Sequence, residues 1–392
     1  MKICHVITRM IVGGAQENTL LSCRGILESG GKHQCTLVTG PSPGPEGELL
    51  KNAHYADGIE IVECPYLVRE ISVWNDLRAY FFLKRFFRER NFDVVHTHSS
   101  KAGIIGRLAA GAARRRTRAR MLIAHTVHGL AFHRCGAPWK NGLYILMERL
   151  GARSSDRIYA VAQAMIDQCL DAGIGRKDLF KVVYSGMELE PFLNSKPDGK
   201  LRQELGIPEN AEVLGTLARL FPEKGYEQLF EVLPELMKRR PDLHLLLVGD
   251  GSLRPKLEET AEKLGFRKRI SFAGLVPPSE VHRYLALMDL LVHFSMHEGL
   301  PRAAVQALAS GKPVVTYPLD GTPEVVLDGK TGRLVPPGSP NKAGEAILSL
   351  LADPETRKIM GETGRELVKE RFDWKRMSDI LLEDYEDSLN SP

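Results

Sequence analysis

The sequence contains no apolar run of about 18 residues, the length that marks a membrane-spanning helix. Its first residues, MKICHVITRM, hold a short apolar run that His5 and Arg9 interrupt, without the long apolar core of a signal peptide. They are instead typical of a first β-strand. Together the two absences predict a cytoplasmic protein, with at most peripheral contact at the inner membrane face.

Cysteine is scarce, and no two cysteines form a CxxC pair. The six cysteines fall in the first half of the chain, at Cys4, Cys23, Cys35, Cys64, Cys135 and Cys169. This spacing favours buried, reduced thiols over a disulfide framework or a zinc site. Charge is nearly balanced, because 53 Lys and Arg residues against 49 Asp and Glu residues leave a net charge of +4. With no recognisable nucleic-acid-binding motif, so small an excess predicts no nucleic-acid partner.

Short apolar runs alternate with amphipathic stretches along the whole sequence of 392 residues. Nearly continuous apolar strands separated by helices are typical of parallel sheets that are covered on both faces. The length suits two domains, so we predict an α/β fold with two doubly wound domains. The predicted strands are residues 3–7, 34–38, 59–62, 94–97, 122–127, 158–161 and 182–184 in the first domain, and 213–217, 243–248, 270–272, 290–294, 313–316 and 333–335 in the second.

The division between the domains is predicted near residues 190–199, EPFLNSKPDG, which are rich in Pro, Asn, Ser and Gly. The first domain would then comprise residues 1–190 and the second residues 191–373. Residues 374–392 have the amphipathic pattern of a helix. We expect this helix to cross back onto the first domain.

The most informative stretch is residues 294–318, where an apolar strand ends in a polar turn before a helix. Gly299, Leu300 and Pro301 open that predicted helix, and proline is well tolerated in a first helical turn. A helix N-terminus that follows a strand binds anions, because its backbone N–H groups and its dipole face the ligand. Glu298 would repel a phosphate, so it fits better as an acceptor for neighbouring hydroxyl groups. A phosphate beside a polyol describes a nucleotide-sugar.

Arg219 and Lys224 follow another predicted strand, five residues apart, just before a helix. Such a pair can converge on one diphosphate, Arg through its bidentate fork and Lys as a point charge. Lys and Arg most often lie in solvent without a ligand. Ligands of parallel sheets, however, bind at the carboxyl ends of the strands. This position favours a phosphate-binding role for both side chains.

Gly13 and Gly14 lie between the first predicted strand and a predicted helix over residues 17–27. Paired glycines allow a ligand to approach the backbone closely, but they serve a plain turn equally well. Since the GxGxxG pattern is missing, they give little support to a dinucleotide site.

Histidines end two neighbouring predicted strands of the first domain. We expect His125 to point into the sheet as a core residue. His128, beside Gly129 at the strand tip, is the better candidate for a ligand-binding cleft. His98 ends the preceding strand in the same way and is a weaker candidate.

Two segments are strongly basic. Residues 77–92, LRAYFFLKRFFRERNF, interleave aromatics with Arg and Lys, and residues 111–120, GAARRRTRAR, hold five arginines. We expect one amphipathic helix that packs through its aromatics and one solvated loop. The alternative is peripheral contact with an anionic membrane surface, which would suit a lipid-linked acceptor.

These motifs resemble those of the family 4 retaining glycosyltransferases of the GT-B fold, over nearly the whole chain. The paired glycines of that family match Gly13 and Gly14, and its R-x4-K diphosphate pair matches Arg219 and Lys224. Its E-x7-E element matches residues 298–306. The last two motifs are together specific, whereas the paired glycines alone are a weak signal.

The resemblance implies two Rossmann-like domains that face each other across a cleft, the first binding an acceptor and the second a nucleotide-sugar. The residues that it places around the donor are Gly13, Gly14, Arg219, Lys224, Gly274, Leu275, Glu298, Gly299, Leu300, Pro301, Arg302 and Gln306. It assigns the diphosphate to Arg219 and Lys224, aided by backbone N–H groups after Glu298, and the sugar hydroxyls to Glu298 itself. The base would lie by the loop over residues 273–276, and His128 matches the family's histidine near the transferred sugar. The catalytic groups are then Glu298, His128, Arg219 and Lys224.

One position departs from the family pattern. Gln306 stands eight residues after Glu298 on the same predicted helix, where the family has a second glutamate that binds ribose hydroxyls. A carboxylate accepts two hydrogen bonds from a diol, whereas an amide accepts through one oxygen and donates through its nitrogen. We therefore expect donor binding to be weaker than in a glutamate version by about 1–2 kcal/mol. Because Glu298 is intact, the substitution does not exclude activity.

The implied reaction is transfer of a hexosyl group from a nucleoside-diphosphate sugar to an acceptor hydroxyl, with retention at the anomeric carbon. No DxD triplet occurs, and Arg219 and Lys224 would supply the positive charge that metal ions supply elsewhere. We therefore expect neither a metal nor another cofactor. The alternatives are a catalytically impaired nucleotide-sugar-binding protein, marked by Gln306, and a nucleotide-sugar epimerase of the same GT-B fold.

Overall fold

The computed structural model describes residues 1–42, 50, 57–117, 120–132 and 137–390. The chain divides into two compact units, Met1–Met187 with Phe372–Pro392 and Glu188–Arg371. The division after Met187 lies just before the predicted one at residue 190. The last segment of the chain belongs to the first unit.

Parallel strands form the sheet of the first unit. They are β1 (Lys2–Ile7), β2 (Gln34–Thr39), β3 (Glu60–Glu63), β4 (Val94–His98), β5 (Leu122–Val127), β6 (Arg157–Ala160) and β7 (Phe180–Val182). Among the described residues their order across the sheet is β3-β2-β1-β4-β5-β6-β7. Every predicted strand is present, but β7 was predicted two residues late. It is a half-buried edge strand, so the polar Lys181 fits within it, although lysine interrupts the apolar pattern.

Five α-helices among the described residues before Met187 lie in the same unit. They are α1 (Gly14–Glu28), α2 (Val73–Arg90), α3 (Ser100–Thr117), α4 (Pro138–Ala152) and α5 (Gln163–Asp171). Helix α3 contacts both α2 and α4. Its length corrects one prediction, because residues 111–117 continue the helix instead of forming a loop. Alanine and arginine are both strong helix formers, and residues 118 and 119 lie outside the described ranges.

The second unit has its own parallel sheet. Its strands are β8 (Glu212–Leu217), β9 (Leu243–Val248), β10 (Ile270–Gly274), β11 (Leu290–His293), β12 (Val314–Thr316) and β13 (Gly332–Leu334). Among the described residues the order across the sheet is β10-β9-β8-β11-β12-β13. Leucine and valine fill most of these strands, and β9 is buried at every position. Such strands suit a sheet that helices cover on both faces.

The remaining helices follow in chain order. They are α6 (Glu190–Leu193), α7 (Gly199–Glu204), α8 (Tyr226–Arg239), α9 (Arg254–Lys263), α10 (Val281–Ala286), α11 (Arg302–Ala309), α12 (Thr322–Val325), α13 (Pro340–Ala352), α14 (Pro354–Arg371) and α15 (Trp374–Asn390). No helix among the described residues is both long enough and apolar enough to cross a membrane.

Helix α15 packs on α1 within the first unit. Its buried face carries Trp374, Met377, Leu381 and Tyr385, which recur at helical spacing. The two helices approach closely, because a Cβ atom at Gly25 would lie 2.0 Å from the Ser378 hydroxyl oxygen. The amphipathic pattern at the end of the sequence therefore reflects packing on the first unit.

Candidate active site

Two loops of the second unit leave neighbouring strands at the same edge of the sheet. Strands β8 and β11 pair in parallel, with Leu214 opposite Leu290. Their carboxyl ends therefore lie side by side, and so do the loops that lead into α8 and α11. These loops carry Arg219, Lys224 and Glu298, which the sequence predicted to act together.

Gly225 brings the two loops into close contact. Its φ of 80° lies in the left-handed region, and a Cβ atom there would lie 2.2 Å from the carbonyl oxygen of Phe294. The Met296 N–H also donates to the carbonyl oxygen of Glu223 over 2.8 Å. Only glycine allows this approach of the backbones, which places Lys224 beside the second loop.

Lys224 and Glu298 form an ion pair. The Nζ atom of Lys224 lies 2.6 Å from Oε1 of Glu298, and it also donates to the Ser295 hydroxyl over 3.3 Å. The two charged side chains are only 25% and 19% exposed. The ammonium therefore stands between a carboxylate and a hydroxyl at the sheet edge, where a ligand phosphate can exchange with its present partners.

Glu298 has a second neighbour in His293 at the end of β11. The Nε2 atom of His293 lies 3.3 Å from Oε1 of Glu298. Burial by itself would raise the pKa of Glu298, but His293 and Lys224 outweigh that effect and hold this pKa well below its ordinary value. The carboxylate thus stays ionised and can accept hydrogen bonds from hydroxyl groups.

Asp320 fixes the backbone of the same loop. Its carboxylate accepts the backbone N–H of Glu298 over 3.0 Å, and Nδ1 of His297 lies 3.2 Å from the same oxygen. Neither Asp320 nor His293 was predicted from the sequence. Their signals, a polar residue at the end of an apolar strand and an aspartate directly before a glycine, are common in proteins without a site.

Arg219 lies in the same loop as Lys224 and is exposed. Its guanidinium stacks over the Phe221 ring, 5.3 Å from the ring centroid. Among the described residues no side-chain hydrogen bond or ion pair engages it. This cation is therefore available to a ligand at the carboxyl edge of the sheet.

The helix after Glu298 begins later than predicted. Helix α11 starts at Arg302 with Pro301 as its N-cap, so Glu298 and Gln306 do not share one helix. Glu298 lies in the preceding loop, where Gly299 and Pro301 keep the backbone from closing a helical turn. In the part of the chain that the structure describes, the N–H groups of Gly299 and Leu300 have no hydrogen-bond acceptor.

Gln306 lies on the second turn of α11 and is half-buried. Its backbone carbonyl accepts the Ser310 N–H over 3.0 Å at the end of the helix. No hydrogen bond to its side-chain amide is found among the described residues, which leaves the amide available to a ligand.

The loop predicted to lie near the base follows β10. Gly274 ends this strand with a φ of 73°, and its carbonyl oxygen accepts the Gly249 N–H over 3.0 Å. Leu275 is 79% exposed. An exposed leucine beside a strand end provides an apolar surface on which a planar ring can rest.

The sequence reasoning missed the loop Gly249, Asp250 and Gly251 after β9. A Cβ atom at Gly249 would lie 2.1 Å from the carbonyl oxygen of Ala218, and one at Gly251 would lie 2.5 Å from that of Leu220. Both glycines therefore let this loop pack against the segment that carries Arg219. The motif G-D-G directly after an apolar strand was the available signal.

In the first unit, the paired glycines begin α1. Gly14 is the first residue of the helix and Gly13 is its N-cap, with extended backbone that any residue adopts. A Cβ atom at Gly13 would lie 2.7 Å from the flexible side chain of Gln16. The helix therefore starts earlier than predicted, and its first N–H groups lie at the end of β1.

His128 lies just after β5 and is half-buried. Its Nε2 atom is 3.0 Å from Nδ1 of His98, whose Nε2 atom is 2.9 Å from Nδ1 of His5. His125 is buried, as predicted, and its Nδ1 lies 3.0 Å from the hydroxyl of Thr97. His98 thus contacts His128 directly, a link that sequence reasoning did not predict.

A cavity of about 280 Å³ opens beside His128 within the first unit. Its polar lining includes Ser99, Ser100 and Glu148. Most of the other lining residues are apolar, and they include Val127, Leu130, Ala131, Ile158, Ile174 and Phe180. Such a cavity suits a ligand that has both apolar and hydroxyl groups.

Three buried histidines, His5, His96 and His98, are close enough to share a metal ion, with ligand atoms within 4.8 Å of one another. The nitrogens of His96 already lie 2.5 Å from the Tyr385 hydroxyl and 2.7 Å from the Thr126 hydroxyl. Both nitrogens of His98 also face other imidazoles. The histidines therefore form a hydrogen-bonded network.

Two families match the sequence. Residues 13–186 match the family described as "Glycosyl transferase 4-like domain", and residues 198–367 match the one described as "Glycosyl transferases group 1". EpsD of Bacillus subtilis, to which glycosyltransferase activity is ascribed, is 30% identical over 298 residues, which are 74% of this chain and 76% of EpsD. The likeness therefore extends over both units.

A further relative is the UDP-Gal:alpha-D-GlcNAc-diphosphoundecaprenol alpha-1,3-galactosyltransferase of Escherichia coli. It is 25% identical over 393 residues, which cover 99% of this chain and 97% of the relative. Among solved structures, HepE of Anabaena in complex with UDP-glucose superimposes with a TM-score of 0.80. It is 23% identical, and the alignment covers 99% of this chain and all of HepE. These likenesses show the GT-B fold.

Proposed function

We propose that this chain, which belongs to the group 1 glycosyl transferases, moves a hexosyl group from a nucleoside-diphosphate sugar to an acceptor hydroxyl with retention at the anomeric carbon. In this proposal the second unit binds the donor and the first unit binds the acceptor. The family membership supports the reaction class, and the side chains at the ends of β8 and β11 support the choice of donor.

The observation that carries the proposal is the ion pair of Lys224 and Glu298 beside backbone N–H groups that have no acceptor among the described residues. The ammonium is held 2.6 Å from the carboxylate, and the N–H groups of Gly299 and Leu300 follow directly along the chain. Arg219 adds a cation without a protein partner in the described ranges. A diphosphate needs such cations and N–H groups, while a hexose needs an acceptor such as Glu298.

These groups suit the chemistry of glycosyl transfer. As the bond from the anomeric carbon to the donor phosphate breaks, negative charge grows on the leaving diphosphate. Lys224, Arg219 and the N–H groups before α11 would stabilise that charge without needing a metal ion. No second carboxylate serves as a nucleophile in this proposal, so the acceptor attacks from the front face and gives its proton to a donor phosphate oxygen.

A uridine donor is the first to test. HepE was crystallised with UDP-glucose, and the name of the Escherichia coli relative specifies UDP-galactose. The exposed Leu275 and the residues near Gly274 provide the surface against which we place the base. Gln306 would bind the ribose hydroxyls with one acceptor oxygen, where a glutamate would offer two.

The acceptor in this proposal is amphiphilic. The cavity beside His128 combines serine hydroxyls and Glu148 with a mostly apolar lining, so it suits an alcohol that carries an apolar group. The name of the Escherichia coli relative specifies an acceptor linked to diphosphoundecaprenol, which supports a lipid-linked class.

Peripheral membrane contact would bring the enzyme to such an acceptor. Large apolar side chains are exposed on two helices of the first unit, Val73, Trp74, Leu77 and Phe81 on α2 and Trp139, Leu143, Leu146 and Leu150 on α4. Helix α2 also exposes Arg78 and Arg85. Tryptophan beside basic residues is typical of helices that lie in an anionic membrane interface.

Parts of the two basic segments predicted for this contact also pack within the first unit. Within residues 111–120, Arg114 pairs with Asp156 and donates to the Met121 carbonyl over 2.9 Å. Within residues 77–92, Leu83 and Phe87 are buried. We therefore centre the proposed membrane contact on the first half of α2, which includes residues 77–81 of the predicted basic segment, and on α4.

A donor-binding protein without turnover is the second candidate, and Gln306 is the observation that favours it. Both candidates are tested by a thermal-shift panel of UDP-, GDP- and ADP-sugars, followed by assays for release of the nucleoside diphosphate. NMR can monitor the anomeric configuration of the sugar as it is transferred or hydrolysed. A first product with the donor's anomeric configuration supports the proposal. Binding without sugar release favours the second candidate, and the absence of any binding refutes both.

A further inference from the structure

Three imidazoles form a continuous chain in the first unit. His98 contributes Nδ1 to His128 over 3.0 Å and Nε2 to His5 over 2.9 Å. His5 and His98 are fully buried. His128 is the end of this row of imidazoles that lines the cavity. Its ring is therefore connected to the interior of the sheet through His98.

The rings also restrict one another by stacking. His98 stacks on His128 with centroids 5.3 Å apart, and on His96 with centroids 4.3 Å apart. His96 is itself held by hydroxyls of Tyr385 and Thr126. Rotation of His98 would break both hydrogen bonds and both stacks, so the position of its Nδ1 atom is fixed.

The surroundings of His5, at the buried end of the row of imidazoles, indicate where the protons lie. Burial, reinforced by neighbouring histidines, lowers the pKa of His98 well below its ordinary value, and burial lowers that of His5 to about 3. Each ring is therefore neutral and carries one N–H. In the described part of the chain Nε2 of His5 has no hydrogen-bond partner, and the thiols of Cys23 and Cys35 lie within 4.8 Å of a nitrogen of the same ring.

A thiol donates weakly and accepts weakly, and an unpaired N–H in the core is rare. This setting favours a bare lone pair on Nε2 of His5 and a proton on its Nδ1. The His5 Nδ1–H then donates to Nε2 of His98, and the His98 Nδ1–H donates to Nε2 of His128. His128 is left with its proton on Nδ1.

We propose that His98 is a positioning residue that holds His128 in the Nδ1–H tautomer and in one ring orientation. This inference rests on the proposed function only for its consequence in catalysis. There His128 would act as a hydrogen-bond donor to a substrate oxygen, and it would not remove the acceptor's proton. Fixing the tautomer in advance lowers the cost of aligning the donor N–H with the reacting groups.

The test compares His98→Phe and His98→Gln with His96→Gln as the matched control. His96 lies on the same strand and is equally buried, but it is not bonded to His128. Long-range ¹H–¹⁵N correlation spectra report the tautomer of His128 without any activity assay. We expect a single Nδ1–H tautomer in the wild type and in His96→Gln, a mixture in His98→Phe, and substantial recovery in His98→Gln, whose amide can still donate.

Kinetics then test the consequence. With an active donor, His98→Phe should lower kcat about tenfold or more at an unchanged KM for the donor, and His98→Gln should recover much of that loss. An Nε2–H tautomer of His128 in the wild type, or a single unchanged tautomer in His98→Phe, overturns the inference. Inactivity of the wild type with every donor refutes the proposed function instead, since the spectra still decide the tautomer.

Discussion

The Nζ atom of Lys224 lies 2.6 Å from Oε1 of Glu298, although the two residues are 74 positions apart in the sequence. Neighbouring parallel strands bring them together, and the glycine at position 225 allows their loops to touch. The pair joins the cation suited to a diphosphate to the carboxylate suited to a sugar. In a nucleotide-sugar, the bond that breaks joins the sugar to the diphosphate.

Removing the ammonium should disable turnover. Lys224→Ala is expected to lower kcat by about 10²-fold or more, because one fixed donor to a developing negative charge is typically worth that much. Steady-state assays of nucleoside diphosphate release measure the effect, and circular dichroism checks the fold. Lys256→Ala is the matched control, because Lys256 forms an exposed ion pair with Glu227. Normal rates in Lys224→Ala would count against the site.

Arg219 should bind through its forked guanidinium as well as its charge. Arg219→Ala is expected to weaken nucleoside diphosphate binding about 10- to 100-fold, in the range of one charged hydrogen bond or two. Arg219→Lys should recover only part of this, because lysine lacks the fork. Calorimetric titration measures the affinity of both variants for the nucleoside diphosphate. The control is Arg239→Ala, which removes a surface pair with Glu235 and should bind normally. Equal affinity in all the variants would exclude a role for Arg219.

Gln306→Glu should strengthen donor binding. A carboxylate accepts both ribose hydroxyls, and the gain is expected to be about 1–2 kcal/mol, or roughly 5- to 30-fold in affinity. Titration calorimetry measures the affinity for the nucleotide-sugar and for the free sugar phosphate, which lacks the ribose. The comparison isolates the contact between residue 306 and the ribose hydroxyls. Equal or weaker affinity in the variant would place the ribose elsewhere.

Gly225→Ala should destabilise the second unit more than Gly265→Ala. Both glycines have φ near 80°, at 80° and 75°, so alanine at either position costs about 1–2 kcal/mol of backbone strain. Only at Gly225 would the new Cβ atom meet backbone, since it would lie 2.2 Å from the Phe294 carbonyl oxygen while nothing lies within 4 Å at Gly265. Chemical denaturation measures both changes, and equal losses would mean that the loops do not approach so closely.

The buried histidines should make the first unit sensitive to mild acid. Burial lowers the pKa of His5 to about 3, and it lowers those of His96, His98 and His125 well below the ordinary value. Below a pH of about 6.5 the unfolded chain therefore binds protons that the folded chain does not. The free energy of unfolding consequently decreases as the pH is lowered. The stabilisation is fully present above that pH.

Each of these histidines contributes a slope of about 1.4 kcal/mol per pH unit well below pH 6.5. Urea unfolding at several pH values between 7 and 5 measures the combined slope, with His98→Gln expected to show a shallower one. A flat profile over this range would mean that the imidazoles are protonated in the folded protein.

The sequence predicted the strands well, because strands buried on both faces leave uninterrupted apolar runs such as Leu243–Val248. It failed where local composition suits two structures. Residues 111–117 look like a charged loop, but alanine and arginine favour helix and Arg114 has a partner in Asp156. The start of α11 was misplaced because proline is common both within a first helical turn and just before it.

The sequence predicted which residues belong to the candidate site better than it predicted the contacts between them. Arg219, Lys224 and Glu298 stand out because charged residues follow apolar strands. Their ion pairing could not be read from the sequence, because it depends on which strands are neighbours. His98 had only the weak signal of ending a strand, since an isolated buried histidine is usually structural. Its link to His128 arises from the pairing of β4 with β5.

The most direct test of the account is a calorimetric titration of the wild type and Lys224→Ala with UDP, GDP and ADP. We predict that the wild type binds at least one of them, and that Lys224→Ala binds the same nucleotide at least tenfold more weakly while remaining folded. If no nucleoside diphosphate binds, or if the variant binds as tightly as the wild type, the pair of Lys224 and Glu298 is not the donor site.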